Sequence, residues 1–515
     1  NNAHWDLLFE SLNRREEVPS YFVLCLQSEE VTAKGQRWFE SISPLIQLSK
    51  RLGGNYFSEQ IAVAVLIDAP GNLANDLSRV GDLFLGPVRV IPQEFKNLRA
   101  GLIEVQRADD IIASETIHEL VRDIRGFSGS THLVRNGRVS YEEAYEPIRL
   151  ARPEGLPRLI RAGGVYLITG GLGRIGTTLA RHLITTAGAK VGLTTRGREL
   201  PKRDLNLANE FPDQVLVIEA CAEKEEEMRE AFTTLNSQFG SVNGVIHSAG
   251  IVGEDSFLTL SEGSEEDQIS QLVGKLGGLR VLNKLSSEQD LDFVILCSSL
   301  SPVLGGLGFA AYASANAVLD RHAKDQAAAL NPRWISIDWE GWRESPDGAT
   351  SLGQLESQKN ELTDQEGCEV FDRIMDQRNL YRVIVSTTDF ERRRERWVTR
   401  RVDPKQSSGM LQSHSRPHHL GPVQQPSTEI EKRLVVLWEE LLGIAPIGTE
   451  DNFFETGGNS LVLTQFIASA REEFSLDLPL ASVFESPTIG NISVIIEELI
   501  ERSRSRNQER EQGVI

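Results

Sequence analysis

Up to about residue 400 the chain alternates short β-branched, apolar runs with longer stretches whose apolar positions recur every three or four residues. The runs read as strands and the longer stretches as amphipathic helices. The strand-like runs are Tyr21–Leu26, Ile61–Ile67, Val165–Ile168, Val215–Glu219, Gly244–His247 and Phe293–Cys297. Interleaved in this way, they predict α/β layers around a mainly parallel sheet. The alternation occurs twice, over residues 1–160 and 161–401, so two Rossmann-like subdomains are expected. Only the second opens on a Gly-rich strand-to-helix turn.

Apolar periodicity then stops. Residues 402–427 are rich in Pro, Gly, Ser, Gln and His and read as a flexible linker. The linker histidines His414, His418 and His419 have no acidic or Cys neighbour, so solvated linker is the expectation and no metal site is assigned. Periodicity returns over about Glu429–Leu442, Leu461–Phe474 and Ile492–Ile500, with a long loop DNFFETGGNS between the first two, which predicts a small helical bundle over 428–502. The last residues, 503–515, carry charges and no core-forming face and read as a frayed end and disordered tail.

Charge sharpens this division. Residues 427–502 hold fourteen acidic against four basic residues, half of the net −20 of the whole 515-residue chain, so the bundle is a compact acidic module. A chain this acidic argues against a phosphate-tracking surface, and no nucleic-acid partner is expected. No apolar run approaches the roughly 20 residues of a membrane helix, and the opening NNAHWDLLFESLNRR is unlike a signal peptide. No membrane partner and a reducing, cytoplasmic location are expected, with Cys25, Cys221, Cys297 and Cys368 as buried reduced thiols. The first residue is Asn, and a piece of something longer is expected.

Chemistry enters where strand VYLIT runs into GGLGRIG and a helical TTLARHLI. Gly171, Gly173 and Gly176 form G-x-G-x-x-G in strand, turn, helix context, where glycines let the backbone approach a pyrophosphate and the helix N-terminus offers free N–H groups. Alone, the pattern equally fits an ordinary Gly-rich turn. The next strand ends at Thr194, Thr195 and Arg196. Hydroxyls followed by Arg, in place of an acid, suit a 2′-phosphate and point to NADPH over NADH. Further on, a strand ends in Ser298 and Ser299, a Gly-rich loop follows, and Tyr312 and Asn316 open a helix, with Lys275 on an upstream helix. A Tyr hydroxyl can protonate an alkoxide when a cation stands nearby, and Ser can hold the carbonyl oxygen. Each residue alone has a plain structural use; their joint spacing after a dinucleotide turn does not.

On these residues the chain resembles the ketoreductase region of a modular type I polyketide synthase, in the short-chain dehydrogenase/reductase superfamily. TGGLGRIG, VNGVIHSAG, SSLSPVLGG, YASANAVLD and ISIDWEGW carry the resemblance, in that order. It implies a catalytic set of Ser299, Tyr312, Lys275 and Asn316, and nucleotide contacts from Gly171, Gly173, Arg174, Ile175, Gly176, Thr195, Arg196 and Ala249. It also implies that residues 1–160 are a truncated, non-catalytic structural subdomain. Two departures stand out: Cys221 lies near the position where the family often has an Asp beside the adenine, and Arg174 replaces a small residue in the Gly-rich turn. The loop DNFFETGGNSLVLTQ resembles the prosthetic-group site of an acyl carrier protein. There Ser460, otherwise readable as an N-cap, would carry 4′-phosphopantetheine, placed by a phosphopantetheinyl transferase.

The resemblance thus implies NADPH-dependent reduction of a β-ketoacyl thioester to a β-hydroxyacyl thioester on the carrier, with upstream ketosynthase and acyltransferase domains as partners. The alternative is a catalytically silent reductase fold that scaffolds an active carrier. Leu304 stands where one stereochemical class of the family has Trp, and Glu254 and Asp255 could stand for the acidic pair of the other class, so the D-hydroxy product is expected.

Overall fold

The computed structural model describes residues 19–27, 36–53, 60–70, 81–95, 97–107, 114–197, 206–250, 258–260, 263–328, 332–343, 361–395, 398, 414–415, 422–442, 444–453, 456, 460–474, 476, 478, 483 and 487–511. The chain forms two compact units, residues 1–340 with 363–401, and residues 341–362 with 402–515.

In the first unit, β1 (Tyr21–Gln27), α1 (Gln36–Gly53), β2 (Ile61–Pro70), α2 (Gly81–Glu94), β3 (Leu98–Arg107), α3 (Ser114–Arg125), β4 (Ser130–Asn136) and β5 (Val139–Tyr141) build a five-stranded sheet in sequential order. Its pairs are parallel except for the β4–β5 hairpin. Next come β6 (Val165–Thr169), α4 (Arg174–Ala187), β7 (Lys190–Thr195), α5 (Asn206–Glu210), β8 (Val215–Glu219), α6 (Glu225–Phe239), β9 (Gly244–His247), α7 (Glu265–Ser286) and β10 (Phe293–Ser299). They are followed by α8 (Ser301–Leu304), α9 (Ala310–Asp325), β11 (Arg333–Trp339), α10 (Asp364–Met375), β12 (Arg382–Ile384) and α11 (Phe390–Arg394). The second sheet has seven strands in the order β12-β11-β10-β9-β6-β7-β8, so the winding reverses between β6 and β9, the usual place for a ligand crevice. Strands β6, β9 and β10 are buried on both faces apart from the terminal Ser299, which explains why they read as continuous apolar runs.

The two sheets share a core. Leu83 and Val88 of α2 belong to the same buried cluster as Leu272 and Leu276 of α7 and Ala310, Ala311 and Ala315 of α9. Helix α2 contains Pro87 and Pro92 and is buried from Gly81 to Pro92, so packing rather than propensity holds it helical. Behind α9 lies a buried charge cluster. The Arg382 guanidinium pairs with Asp338 at 2.8 Å, Asp320 at 3.2 Å and Glu143 at 2.9 Å, while Ser336 Oγ donates to Asp320. Burial drives the Asp338 carboxyl well above the usual carboxylate range even with Arg382 beside it.

In the second unit, β13 (His414–Ser415) pairs in parallel with β14 (Ile444–Ala445), so a stretch read as free linker contributes to a small sheet. Helices α12 (Glu429–Leu442), α13 (Ser460–Phe474) and α14 (Ile489–Glu511) form the bundle. Its centre is Trp438, fully buried and edge-on to Phe453 and Phe466 at 4.9 and 5.7 Å. Thr428 and Glu431 cap α12 reciprocally. Two further expectations are corrected. Helix α14 continues through Glu511, past the end set by its apolar pattern, so most of the segment read as disordered tail is helical. All four cysteines are free thiols, but of these Cys297 alone is buried and Cys25 is exposed, because β1 is a sheet edge and Cys25 shares its outer face with Tyr21 and Val23.

At Gly86 the backbones of α2 and α9 touch: a Cβ there would fall 2.0 Å from the Ala310 carbonyl oxygen and 2.4 Å from Ser314 Oγ. Alanine favours a helix over glycine by about 1 kcal/mol, yet overpacking against backbone costs about 1–3 kcal/mol and usually exceeds it. Gly86→Ala is therefore expected to lower the denaturant midpoint of the first unit. A raised midpoint would show that the two helices part freely.

Candidate active site

The Gly-rich turn between β6 and α4 is built from close approaches. Gly170 has φ 62°, and a Cβ on it would lie 2.7 Å from the Ala249 Cα. A Cβ on Gly171 would meet Ile168 O and Leu193 Cβ at 2.8 Å, and one on Gly176 would meet Gly171 Cα at 2.8 Å. Gly171 N–H donates to Thr194 O and Gly173 N–H to Gly170 O. Gly173 is the N-cap of α4 and offers no side-chain cap. A glycine cradle leading into a side-chain-uncapped, fourteen-residue helix fits a pyrophosphate. Ile175 follows in the first turn of α4, and Ala249, buried, faces the turn from the end of β9. Thr195 ends β7 half-buried and Arg196 is exposed beyond it, its Nη2 3.5 Å from where a side chain on Gly274 of α7 would begin.

Arg174 is engaged elsewhere: its Nη2 pairs with Asp364 at 2.8 Å, at the start of α10. Eight residues further along each helix, His182 Nε2 meets Asp372 at 2.8 Å. Hydrogen bonds to Asp372 and Cys368 outweigh burial and raise this imidazole to about 9. Cys221, where an adenine-facing acid was sought, donates its N–H to Glu227 at 2.7 Å, and desolvation with Glu223 and Glu227 pushes its thiol up.

The four residues proposed for catalysis come from three elements. Ser299 closes β10, its Oγ accepting the Ser301 N–H at 3.3 Å. Tyr312 and Asn316 lie one turn apart on α9, with Asn316 Nδ2 donating to the Tyr312 carbonyl at 3.0 Å. Asn316 is fully buried and its Oδ1 has no hydrogen-bond partner among the described residues. Lys275, on α7, is buried. Its Nζ donates to the Cys297 carbonyl at 2.8 Å and lies 5.4 Å from the Tyr312 ring centroid. Gly250 admits this side chain, since a Cβ there would be 2.9 Å from Lys275 Cε.

His247, at the end of β9, completes the arrangement and was passed over in the sequence although VNGVIHSAG contains it. Its Nδ1 is 2.7 Å from Thr169 Oγ1 and its Nε2 3.1 Å from Lys275 O. The tautomer that fits both partners donates from Nε2 to the carbonyl and accepts the Thr169 hydroxyl at Nδ1. Burial, with Lys275 nearby, lowers this imidazole to about 4.

The doubly wound sheet and the glycine cradle define the class as a Rossmann-like fold. Residues 164–344 match the family model of the KR domain and residues 432–494 that of the phosphopantetheine attachment site. Polyketide synthase PksL of Bacillus subtilis (strain 168) is 29% identical over 357 residues, 63% of this chain and 8% of that protein. Tyrocidine synthase 2 of Brevibacillus parabrevis is 44% identical over 72 residues, 14% of this chain and 2% of its own. The crystal structure of a ketoreductase domain from the bacillaene assembly line shares the fold at a TM-score of 0.60 and 19% identity, covering 74% of this chain and 96% of that one. The chain thus carries a KR domain and a carrier domain similar to those of polyketide synthases, and spans 8% of the length of the first such relative.

His247 gives this site an acid-side signature. Folded, it stays neutral down to about 4; unfolded, it takes a proton near 6.5. Between those values the unfolded chain binds more protons, so stability falls as pH drops through the window and is unaffected by this group above it, with a slope of about 1.4 kcal/mol per pH unit. His322, also lowered to about 4 by burial, acts with the same sign in wild type and variant and cancels in the comparison. Unfolding free energies between pH 4 and 7 should therefore fall less steeply for His247→Gln than for wild type. Parallel curves would mean that His247 takes up its proton as readily in the folded chain as in the unfolded one.

Proposed function

We propose that this chain reduces a β-ketoacyl thioester, held on its own phosphopantetheinylated carrier domain, to the β-hydroxyacyl thioester. The observation that carries the reading is the Lys275 ammonium beside the Tyr312 ring, with Ser299 at the neighbouring strand end. When bound, NADPH supplies the hydride that adds to the carbonyl carbon. Gly171, Gly173, Ile175, Gly176 and Ala249 would take its pyrophosphate side, and Thr195 and Arg196 its 2′-phosphate. Arg174 contributes to the turn while tied to Asp364. Ser299 Oγ hydrogen-bonds the substrate carbonyl and orients it. As the oxygen gains negative charge, Tyr312 gives up its hydroxyl proton to it, and the cation over the ring stabilises the charge left behind. Lys275, anchored on the Cys297 carbonyl, and Asn316, with its open Oδ1, carry the replacement proton inward. A silent scaffold would not require all four groups to be present together.

For the carrier, the supporting features are the attachment-site match and the place of Ser460 as the first residue of α13. The backbone ahead of it is anchored, with Asn452 bridged to Thr488 and Phe453 N–H donating to Pro487 O at 2.7 Å. A helix start suits a phosphodiester. Tethering then favours the chain's own substrate by raising its effective concentration to about the millimolar range.

Two measurements test this. Tyr312→Phe keeps the ring and removes the proton donor, so NADPH should still bind while its oxidation by a β-ketoacyl thioester falls about 10²-fold or more; near-normal turnover would remove Tyr312 from the mechanism. Incubated with a phosphopantetheinyl transferase and coenzyme A, the chain should gain the mass of one phosphopantetheine arm and Ser460→Ala none. An equal gain in the variant would place the attachment elsewhere.

A further inference from the structure

Between Ser299 and Tyr312 the backbone passes through Gly305, Gly306 and Gly308, at φ 76°, 133° and 71°. Such a loop is costly to order because glycine has the most conformations to lose. Two adjacent side chains at the end of α2, in the half that lacks a nucleotide turn, hold it. Gln93 Nε2 donates to Leu304 O at 2.7 Å and its Oε1 accepts the Gly306 N–H at 2.8 Å. Glu94 Oε1 accepts the Gly308 N–H at 3.1 Å, and its other oxygen accepts the Leu260 N–H at 2.7 Å. Leu258 N–H in turn donates to Gly308 O at 2.8 Å. Arg89, one turn back on α2, donates weakly to Pro302 O at 3.4 Å.

We propose that Gln93 and Glu94 are positioning residues for the ketoreduction, acting as a two-residue clamp that sets the spacing between the loop leading to Tyr312 and the segment 258–260. The inference rests on the ketoreductase reading. Gln93 suits its place chemically, because the amide offers a donor to the Leu304 carbonyl and an acceptor to the N–H two residues on. Gly305 suits it sterically, because a Cβ there would fall 2.5 Å from Gln93 Nε2. Glu94 must be a carboxylate, since both of its oxygens face N–H donors and an amide could satisfy only one. A ketone with two different substituents yields either hydroxyl configuration, according to which face meets the hydride. A loop free to shift beside Tyr312 would present both faces and misplace the proton donor.

The test compares Gln93→Ala and Glu94→Gln with Phe127→Leu in the full chain. Phe127 packs on the opposite face of the five-stranded sheet, against Ala64 and Ile103, and serves as a control for general loosening of that half. Each clamp variant should lose about 10-fold or more in kcat/KM, mainly in kcat, and raise the share of the minor hydroxy stereoisomer on chiral chromatography. Amide hydrogen exchange at Gly306 and Gly308 should quicken in both, and in neither case should Phe127→Leu do the same. Unchanged exchange, or the same losses in Phe127→Leu, would overturn the clamp. If the wild-type chain reduces no β-ketoacyl thioester, the ketoreductase reading fails, and the exchange measurement still decides whether these two side chains order the loop.

Discussion

At Gly86 the backbone of α2 lies against α9 closely enough for the Ser314 hydroxyl to donate to the Leu83 carbonyl across the contact. The placement of the residues proposed for catalysis depends on this approach, because α9 carries both Tyr312 and Asn316. From the other side, α9 is held by Asp320, which the Arg382 cluster fixes to β11. A helix pinned at both flanks cannot rotate its tyrosine out of line without breaking a buried ion pair, which costs about 3–5 kcal/mol. The half of the unit without a Gly-rich strand-to-helix turn thereby acquires a use as the abutment for α9.

Much of this was legible in the amino-acid order, for a physical reason. Strands of a doubly wound sheet are buried on both faces, so Val165–Thr169 and Phe293–Cys297 stand out as apolar runs, and the groups that serve chemistry fall at their C-terminal ends, where β10 delivers Ser299. Tyr312 and Asn316 were readable because one helical turn separates them. Helix α2 was not, since two prolines and two glycines hide a helix that only burial sustains. Nor were contacts that join distant residues, such as Arg174 with Asp364 or Gln93 with Gly306, because nothing local marks them.

Arg174 illustrates how the fold can redirect a residue. In sequence it interrupts a phosphate-binding turn and invites assignment to the phosphate; in the fold, α10 lies along α4 and offers Asp364 in one place and Asp372 in another. The two ion pairs fasten α10 to the helix that follows the glycine turn. Both are partly exposed, so each adds little stability on its own. What they fix is the direction of the Arg174 side chain, which leaves the cradle lined by glycine backbone.

Two hydrogen bonds and one cation–ring approach then link that cradle to Tyr312, the proposed proton donor. Thr169, the last residue before the glycine turn, is bonded to His247; His247 is bonded to the backbone of Lys275; and the Lys275 side chain reaches both the Cys297 carbonyl and the face of Tyr312. The imidazole in the middle must accept on one side and donate on the other, which the neutral ring does and the charged ring cannot. Burial keeps it neutral and so keeps this link intact. In the proposed reduction, hydride transfer and proton transfer are separate events at separate atoms, yet their geometry has to agree closely. In the proposed site, a neutral histidine links the glycine turn to Lys275 without placing a second cation next to that side chain.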